Sequence, residues 1–461
     1  MILEISDRPL ILCFFALCAG MISHSYPLLL LILPFIVYLS IGKMSSLIFT
    51  LSFYVTGWIL APLGHLEEVQ QASFLNAEAS VISVPKYSPF GTSCEIESSG
   101  KRYLLQWKGQ PELSLSDEIK IHGIIQPFSE IKQIFWKTKA VLGSITPSQP
   151  IQKIKKGFFL WQWGVHIHQS FTRFTSSSLL PKAAAVLNAI CLSDRSSFDP
   201  SFQEAAFRSG TLHIFSVSGL HVILVASLMA WFFRFFPLPR STVIMIEAFC
   251  LFLYVAATGL QTPAVRAAIV SFLASTAFLW HKESDSLSAL SFAGIVYLLW
   301  QPYSLLNLGF QLSFVCTGAL ILFGNYSDHQ HDSLWKAIKN WCRVLLKGSL
   351  IATVASTPLL AYHLGQIPTA SLLANLLILP ILPVLMMVTF IGWIISLLFP
   401  IIASGLSKML IEPLAGWIRF IVDQIGTLSW STFSVPQPSI YLIFLLYVLF
   451  LMLWRPYVRK A

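Results

Sequence analysis

The sequence predicts a multi-pass α-helical membrane protein with a small all-β, OB-like barrel domain inserted after the first three helices. Long apolar runs nearly free of charge recur at 345–362 and 371–399, with a shorter one at 440–454. About 18 such residues are enough to cross a bilayer. Charged residues are 11% of the chain and hydrophobic ones 55%, whereas a soluble domain carries about 25% charged residues. One long polar stretch, 65–151, alternates apolar and polar side chains in short runs, which is the period of strands.

Three regions follow. Residues 1–64 hold apolar segments at 10–24, 26–40 and 45–63. With the N-terminus inside, Arg8 and Lys43 are cytoplasmic and the chain emerges outside at Gly64. The first segment resembles a signal peptide, and Ala16-Leu17-Cys18 approaches a lipoprotein box. Leu17 is too large for that box, and two more apolar segments follow at once, so 10–24 is read as a retained helix.

Residues 65–157 form the OB-like domain with a basic linker. Strands are expected at 78–84, 93–96, 102–107 and 118–125, separated by Pro85, Pro89-Phe90-Gly91, Ser98-Ser99-Gly100 and Gly109-Gln110-Pro111. Four or five short strands suit a small barrel, and Gly123 fits a bend in it.

Residues 158–461 form a polytopic helical domain. Spans are expected near 211–236, 242–260, 264–280, 287–300, 306–324, 345–362, 367–380, 382–399 and 439–454, with an amphipathic stretch, 406–425, along the surface. Arg455, Arg459 and Lys460 put the C-terminus in the cytoplasm.

The formal charge of +9 is partly topogenic. The seven cysteines include no CxxC pair, so neither a disulfide framework nor a zinc site is indicated. No Walker A sequence is present, and no metal or cofactor is expected.

Strongly polar residues inside apolar segments are costly and mark candidate sites. The first block, 211–221, contains His213, Ser216, Ser218, Gly219 and His221. On a regular helix the histidines and Ser216 share one broad face; alternatively Ser218-Gly219 breaks the helix and frees backbone groups to line a cavity. The second block, 258–266, has Thr262-Pro263 as a helix start and places Arg266 in the first turn, where the helix dipole disfavours a cation. A phosphate would offset that cost; snorkelling to the interface is the other reading. The third block holds Asn307 and Gln311, and the fourth runs from His363 through Gln366 to Asn375, ahead of Pro380 and Pro383, which suggest a broken helix pair.

From 131 to 193 there is no acidic residue, while Lys132, Lys137, Lys139, Lys153, Lys155 and Lys156 interleave with Trp136 and other aromatics. Such a segment, with Trp107 on the neighbouring strand, suits single-stranded nucleic acid. A membrane-surface segment contacting lipid headgroups is equally compatible.

Residues 189–222 closely resemble the signature of the ComEC-type competence proteins, channels for DNA uptake across the bacterial cytoplasmic membrane. The core of that pattern, G-x-x-H-x-x-x-x-S-G-x-H, is Gly210, His213, Ser218, Gly219 and His221, preceded by Asp194-Arg195. The later blocks agree in order: Gly259, Pro263 and Arg266; GFQLSF at 309–314; and Gly365-Gln366 with Asn375 and Pro380. Ser193 stands where the family usually has Gly. Many members continue into a metallo-β-lactamase-like domain; this sequence ends at Ala461, so no nuclease expectation is carried over.

The resemblance implies a non-enzymatic channel for single-stranded DNA in the cytoplasmic membrane, open to self-association, with the barrel on the outer side. It also implies lipid contact and a separate DNA receptor, nuclease and cytoplasmic motor. His213, Ser218, Gly219, His221, Arg266, Gln311 and Asn375 would line or shape the path, with Asp194, Arg195 and Gly210 structural. Two alternatives remain open from the residues: a transporter of a small anionic or lipidic solute, and an intramembrane hydrolase using Ser218 with His213 or His221.

Overall fold

A computed structural model describes residues 9–23, 55–56 and 72–449, apart from 84, 89–90, 110–112, 114–115, 129–140, 156, 158, 280–284, 325–333, 440, 444 and 448. The expected helices at 26–40 and 45–63 lie outside the described residues; the first is present as α1 (Pro9–Ser23). The chain divides into two compact units, one comprising mainly residues up to 158 with 269–314, the other mainly 159–268 with 315–461.

The first unit contains the barrel. Its strands are β1 (Ser73–Val81), β2 (Lys86–Ser88), β3 (Gly91–Ser98), β4 (Lys101–Trp107), β5 (Glu118–Gln126), β6 (Val141–Pro147) and β7 (Gln152–Lys155). The pairing path β1-β3-β4-β6-β5 is closed by β1 against β5. Every pairing around that ring is antiparallel except β4 with β6, which is parallel. A five-stranded ring of this kind is the OB-like arrangement. All four expected strands are present. The fifth, β6, comes from the segment read as linker: Val141, Gly143 and Ile145 face inward, but Gly143 and Pro147 blur the period-two signal.

Gly123 has a specific cause. A Cβ there would stand 2.6 Å from the Thr146 carbonyl oxygen, so only glycine lets β5 meet β6 this closely. The core packs Val81, Cys94, Ile96, Tyr103, Leu105, Trp107, Ile119, Ile121 and Ile145. The buried Asp117 carboxylate pins the exit of the barrel: it accepts the Gly157 N–H at 2.8 Å and pairs with Lys153 at 2.6 Å.

This unit also holds α8 (Ser286–Trp300), which packs against α1. Gly294 permits that contact, since a Cβ would fall 2.3 Å from the Phe14 ring.

The second unit is helical. It begins with α2 (Phe159–Ser178), α3 (Pro181–Leu192), α4 (Pro200–Arg208), α5 (Gly219–Phe233) and α6 (Arg240–Ala257). The helix α7 (Thr262–Leu279) starts here, as does the later part of α9 (Leu308–Phe323). Then come α10 (Leu334–Leu364), α11 (Ser371–Ile378), α12 (Leu382–Ser396), α13 (Pro400–Leu406) and α14 (Glu412–Gly426). One continuous core runs through Phe171, Leu187, Ile190, Phe202, Phe215, Val222, Ile378, Leu385, Ile418 and Val422.

Small residues set the closest approaches. Gly164 of α2 faces Ala256 of α6, where a Cβ would be 2.8 Å from the alanine Cβ. Gly426 of α14 faces Ala205 of α4, where a Cβ would be 2.7 Å from the alanine Cα.

Among the described residues, three helical stretches are long and apolar enough to cross a bilayer: Arg240–Ala257, Lys339–Leu364 and Pro400–Gly426. The pair α11 and α12, bent by 47°, would make a fourth. That bend is the broken pair expected from Pro380 and Pro383. The stretch expected to lie along the surface falls within 400–426 and is long enough to cross instead.

Candidate functional site

The first polar block is not helical before residue 219. After α4, Gly210 turns with φ +71°. Thr211 donates its N–H to Ala206 O at 2.9 Å, and its hydroxyl lies 2.9 Å from that of Ser209. Phe215 then plugs the segment into the core, its ring centroid 5.3 Å from Phe198 and 5.5 Å from Phe202. The histidines therefore do not share a helical face; of the two readings, the break before Gly219 is the one present.

His213 is exposed, and its Nδ1 donates to the Gly210 carbonyl at 2.9 Å, because a carbonyl only accepts. Ser218 is the N-cap of α5. Its backbone N–H donates to His221 Nδ1 at 3.1 Å, and its hydroxyl lies 2.8 Å from the same nitrogen. His221 takes the place that Glu or Gln holds in a capping box. Its ring is 1% exposed. Nε2 is buried and has no hydrogen-bond partner among the described residues.

The second block comes to the same place. A Cβ on Gly219 would stand 3.4 Å from Arg266 Nη2 and 3.7 Å from the Ala267 Cβ. The buried guanidinium thus sits over the first turn of α5 while belonging to the start of the second turn of α7, which begins at Thr262. Each helix start carries a partial positive charge, about half an electron. The start of α5 and a fixed cation meet here, and the electrostatics at that point favour an anion.

The fourth block meets the first. A Cβ on Gly210 would lie 2.6 Å from Ser371 Cβ and 2.8 Å from Pro368 Cβ. The loop bearing Gly365, Gln366 and Pro368 is clasped from its other side by the segment after α14. Strand β8 (Gln366–Ile367) pairs with β9 (Phe433–Ser434), Val435 N–H donates to Gly365 O at 2.9 Å, and Ala370 N–H to Ser431 O at 3.2 Å. Arg208 reaches the same strap, donating to Leu428 O at 3.3 Å. Asn375 is buried in α11 and donates to Ser349 Oγ of α10 at 3.0 Å; its Oδ1 has no partner among the described residues.

Gln311 belongs to the first unit and donates to Leu305 O at 2.9 Å, closing the short turn before α9. Asp194 is buried in the loop after α3 and Arg195 beside it is exposed.

Of the residues proposed to touch nucleic acid, Lys132, Trp136, Lys137, Lys139 and Lys156 lie outside the described residues. Trp107 is a correction: its ring is in the barrel core, so it offers no surface on which a base can stack. Lys153 pairs with Asp117, and the exposed Lys155 lies 3.5 Å from Glu118.

Sequence reasoning missed His168. It is buried in α2 between the Ala257 carbonyl at 2.9 Å and Asp194 Oδ2 at 3.7 Å. The spacing of Gly164, His168, Phe171 and Thr175, all buried, was the available signal: those positions share one helix face.

Residues 190–460 match a family model described as Competence protein. The chain is 30% identical over 291 residues to the ComE operon protein 3 of Bacillus subtilis, covering 61% of this chain and 35% of that protein. It is 25% identical over 235 residues to the Competence protein ComA of Neisseria gonorrhoeae, covering 49% of this chain and 32% of that protein. The chain thus matches about a third of the length of each of these relatives. No solved structure matches it at a significant level. With the family model spanning more than half of the sequence and enclosing the polar blocks from Gly210 onward, this chain belongs to the competence protein family.

Proposed function

We propose that this chain takes part in DNA uptake for natural transformation, as a multi-pass channel passing single-stranded DNA across the bacterial cytoplasmic membrane. The observation that carries this reading is the meeting of the Arg266 guanidinium with the N-terminus of α5 beside Ser218, Gly219 and His221. A buried cation reinforced by a helix end suits the phosphates of a passing strand. The relatives' names, both from competence, support the process. In this reading the barrel stands on the outer side and presents the strand. The reading calls for a DNA receptor, a nuclease and a cytoplasmic motor as partners.

Membrane residence is supported by the helical unit's surface: Phe249, Met245, Leu398, Ile401 and Met409 are exposed. Exposed apolar area on this scale needs a lipid or protein partner.

The test is Arg266→Ala in a deletion strain, with uptake of labelled DNA as the readout. Uptake should fall roughly tenfold or more, the size expected for losing one charge-assisted contact of about 1.5–3 kcal/mol. Unchanged uptake at normal protein levels would sink the phosphate role. A transporter of a small anion could use the same cation, but it would lose anion flux and leave DNA uptake intact.

A second reading, an intramembrane hydrolase, is favoured by one observation: Ser218 Oγ and His221 Nδ1 are 2.8 Å apart. The capping box accounts for that contact. Labelling of Ser218 by a serine-reactive phosphonate would support the hydrolase, and its absence would leave the cap.

A further inference from the structure

His168 lies before the residues that the family model covers, and no block described so far uses it. Its Nδ1 donates to the carbonyl of Ala257 at 2.9 Å. Ala257 ends α6, one residue before the block that carries Arg266. The other ring nitrogen, Nε2, is 3.7 Å from Asp194 Oδ2, a contact that is favourable when a proton lies between them. Asp194 accepts the Ser196 N–H through Oδ1 at 3.0 Å. Burial raises the Asp194 carboxyl, yet the nearby His168 ring and the Ser196 N–H hold it below its ordinary value.

The loop so held has consequences further along. Ser193, in the left-handed region with φ +62°, precedes Asp194. Its hydroxyl reaches Ser216 of the first polar block at 3.5 Å. One imidazole therefore ties three elements: α2, the 193–196 loop that abuts Ser216, and the end of α6 that leads to Arg266.

We infer that His168 is a positioning residue for the polar site, acting through Asp194 to fix the loop against which Ser216 and the His213–His221 segment are set. This rests on the channel reading for its uptake readout only.

The two ring nitrogens can be separated by substitution. In His168→Asn the amide nitrogen takes the place of Nδ1 and keeps the bond to Ala257. In His168→Gln it takes the place of Nε2 and keeps the contact with Asp194. If the path runs through Asp194, the Gln variant keeps uptake near wild type and the Asn variant loses about tenfold or more, with equal membrane levels. Hydrogen exchange on the full chain in detergent gives the DNA-independent readout. Residues 193–221 should lose protection in the Asn variant and keep it in the Gln variant, with the barrel unchanged in both.

Equal behaviour of the two variants, or loss of uptake with 193–221 still protected, overturns the proposal. If the wild-type chain moves no DNA, the exchange pattern decides by itself. If the Asn variant does not accumulate, Asp194→Ala replaces it: that variant must deprotect 193–221, and unchanged protection overturns the proposal.

Discussion

Gly210 and Gly219 sit nine positions apart in the same polar block and respond to the same substitution in opposite ways. At Gly210 an alanine meets φ +71° and a neighbour at 2.6 Å. The left-handed backbone costs about 1–2 kcal/mol and the overpacking about 1–3 kcal/mol more. Gly210→Ala should therefore lower the unfolding temperature and the amount of protein in the membrane. At Gly219 the nearest atom is the far end of the Arg266 side chain at 3.4 Å. Gly219→Ala should change stability by less than about 1 kcal/mol, yet reduce uptake because the added methyl lies against the guanidinium and crowds an anion's approach to it. Equal losses of stability in the two variants would contradict this separation.

At this scale the chemistry of the site was legible as residue types, but the partners were not. His221 spends Nδ1 on a helix cap, and Lys153 spends its charge on Asp117, which lies two strands earlier in the sequence. Trp107 could have been placed correctly: Tyr103, Leu105 and Trp107 alternate on one face of β4, so the ring had to follow Leu105 inward.

The barrel shows what elements add to single residues. Its strands were legible from alternation and turn residues, and the fifth was hidden by Gly143 and Pro147. With Trp107 internal and Lys153 paired, the proposed nucleic-acid contacts left to this domain are Lys155, Lys156 and, beside Trp136, the three lysines Lys132, Lys137 and Lys139. A fragment covering 72–157 should bind a single-stranded oligonucleotide less tightly as salt rises. Neutralising the three lysines should reduce the slope of log affinity against log salt by about 2. A slope that does not change would remove those lysines from the interface.

The exit of the barrel has a separate energetic signature. Lys153→Met leaves the buried Asp117 carboxylate with one partner fewer and should destabilise the fragment by about 2 kcal/mol, seen as a lower urea midpoint. In the helical unit, the segment ahead of α5 was open to two readings from sequence. Apolar periodicity continues through it, but Gly210 and the Phe215 plug, both tertiary features, decide for the break.

For the molecule as a whole, composition and apolar runs were sufficient to read a mainly helical chain with one β domain, whose long apolar helices are proposed to span a membrane, because long apolar helices and β-barrels leave different periods in a sequence. The outward side chains of α6 give this reading a direct check. Phe249 lies at the middle of Arg240–Ala257 and is exposed. On insertion scales an arginine at the centre of a span costs about 2.5–3.5 kcal/mol. Phe249→Arg should shift much of the protein out of the membrane fraction, whereas the same change at the exposed Phe74 of the barrel should not.

The clasp of β8 by β9 also bears on the order of synthesis. Gly210 emerges from the ribosome long before Pro368, and the strap that holds the Pro368 loop follows later still. Contacts this distant in sequence close slowly and only after both partners exist. A nascent or truncated chain ending before residue 428 would carry the first two polar blocks without the fourth held in place. The arrangement that joins the first and fourth blocks is therefore completed only once the strap at 428–435 has been made.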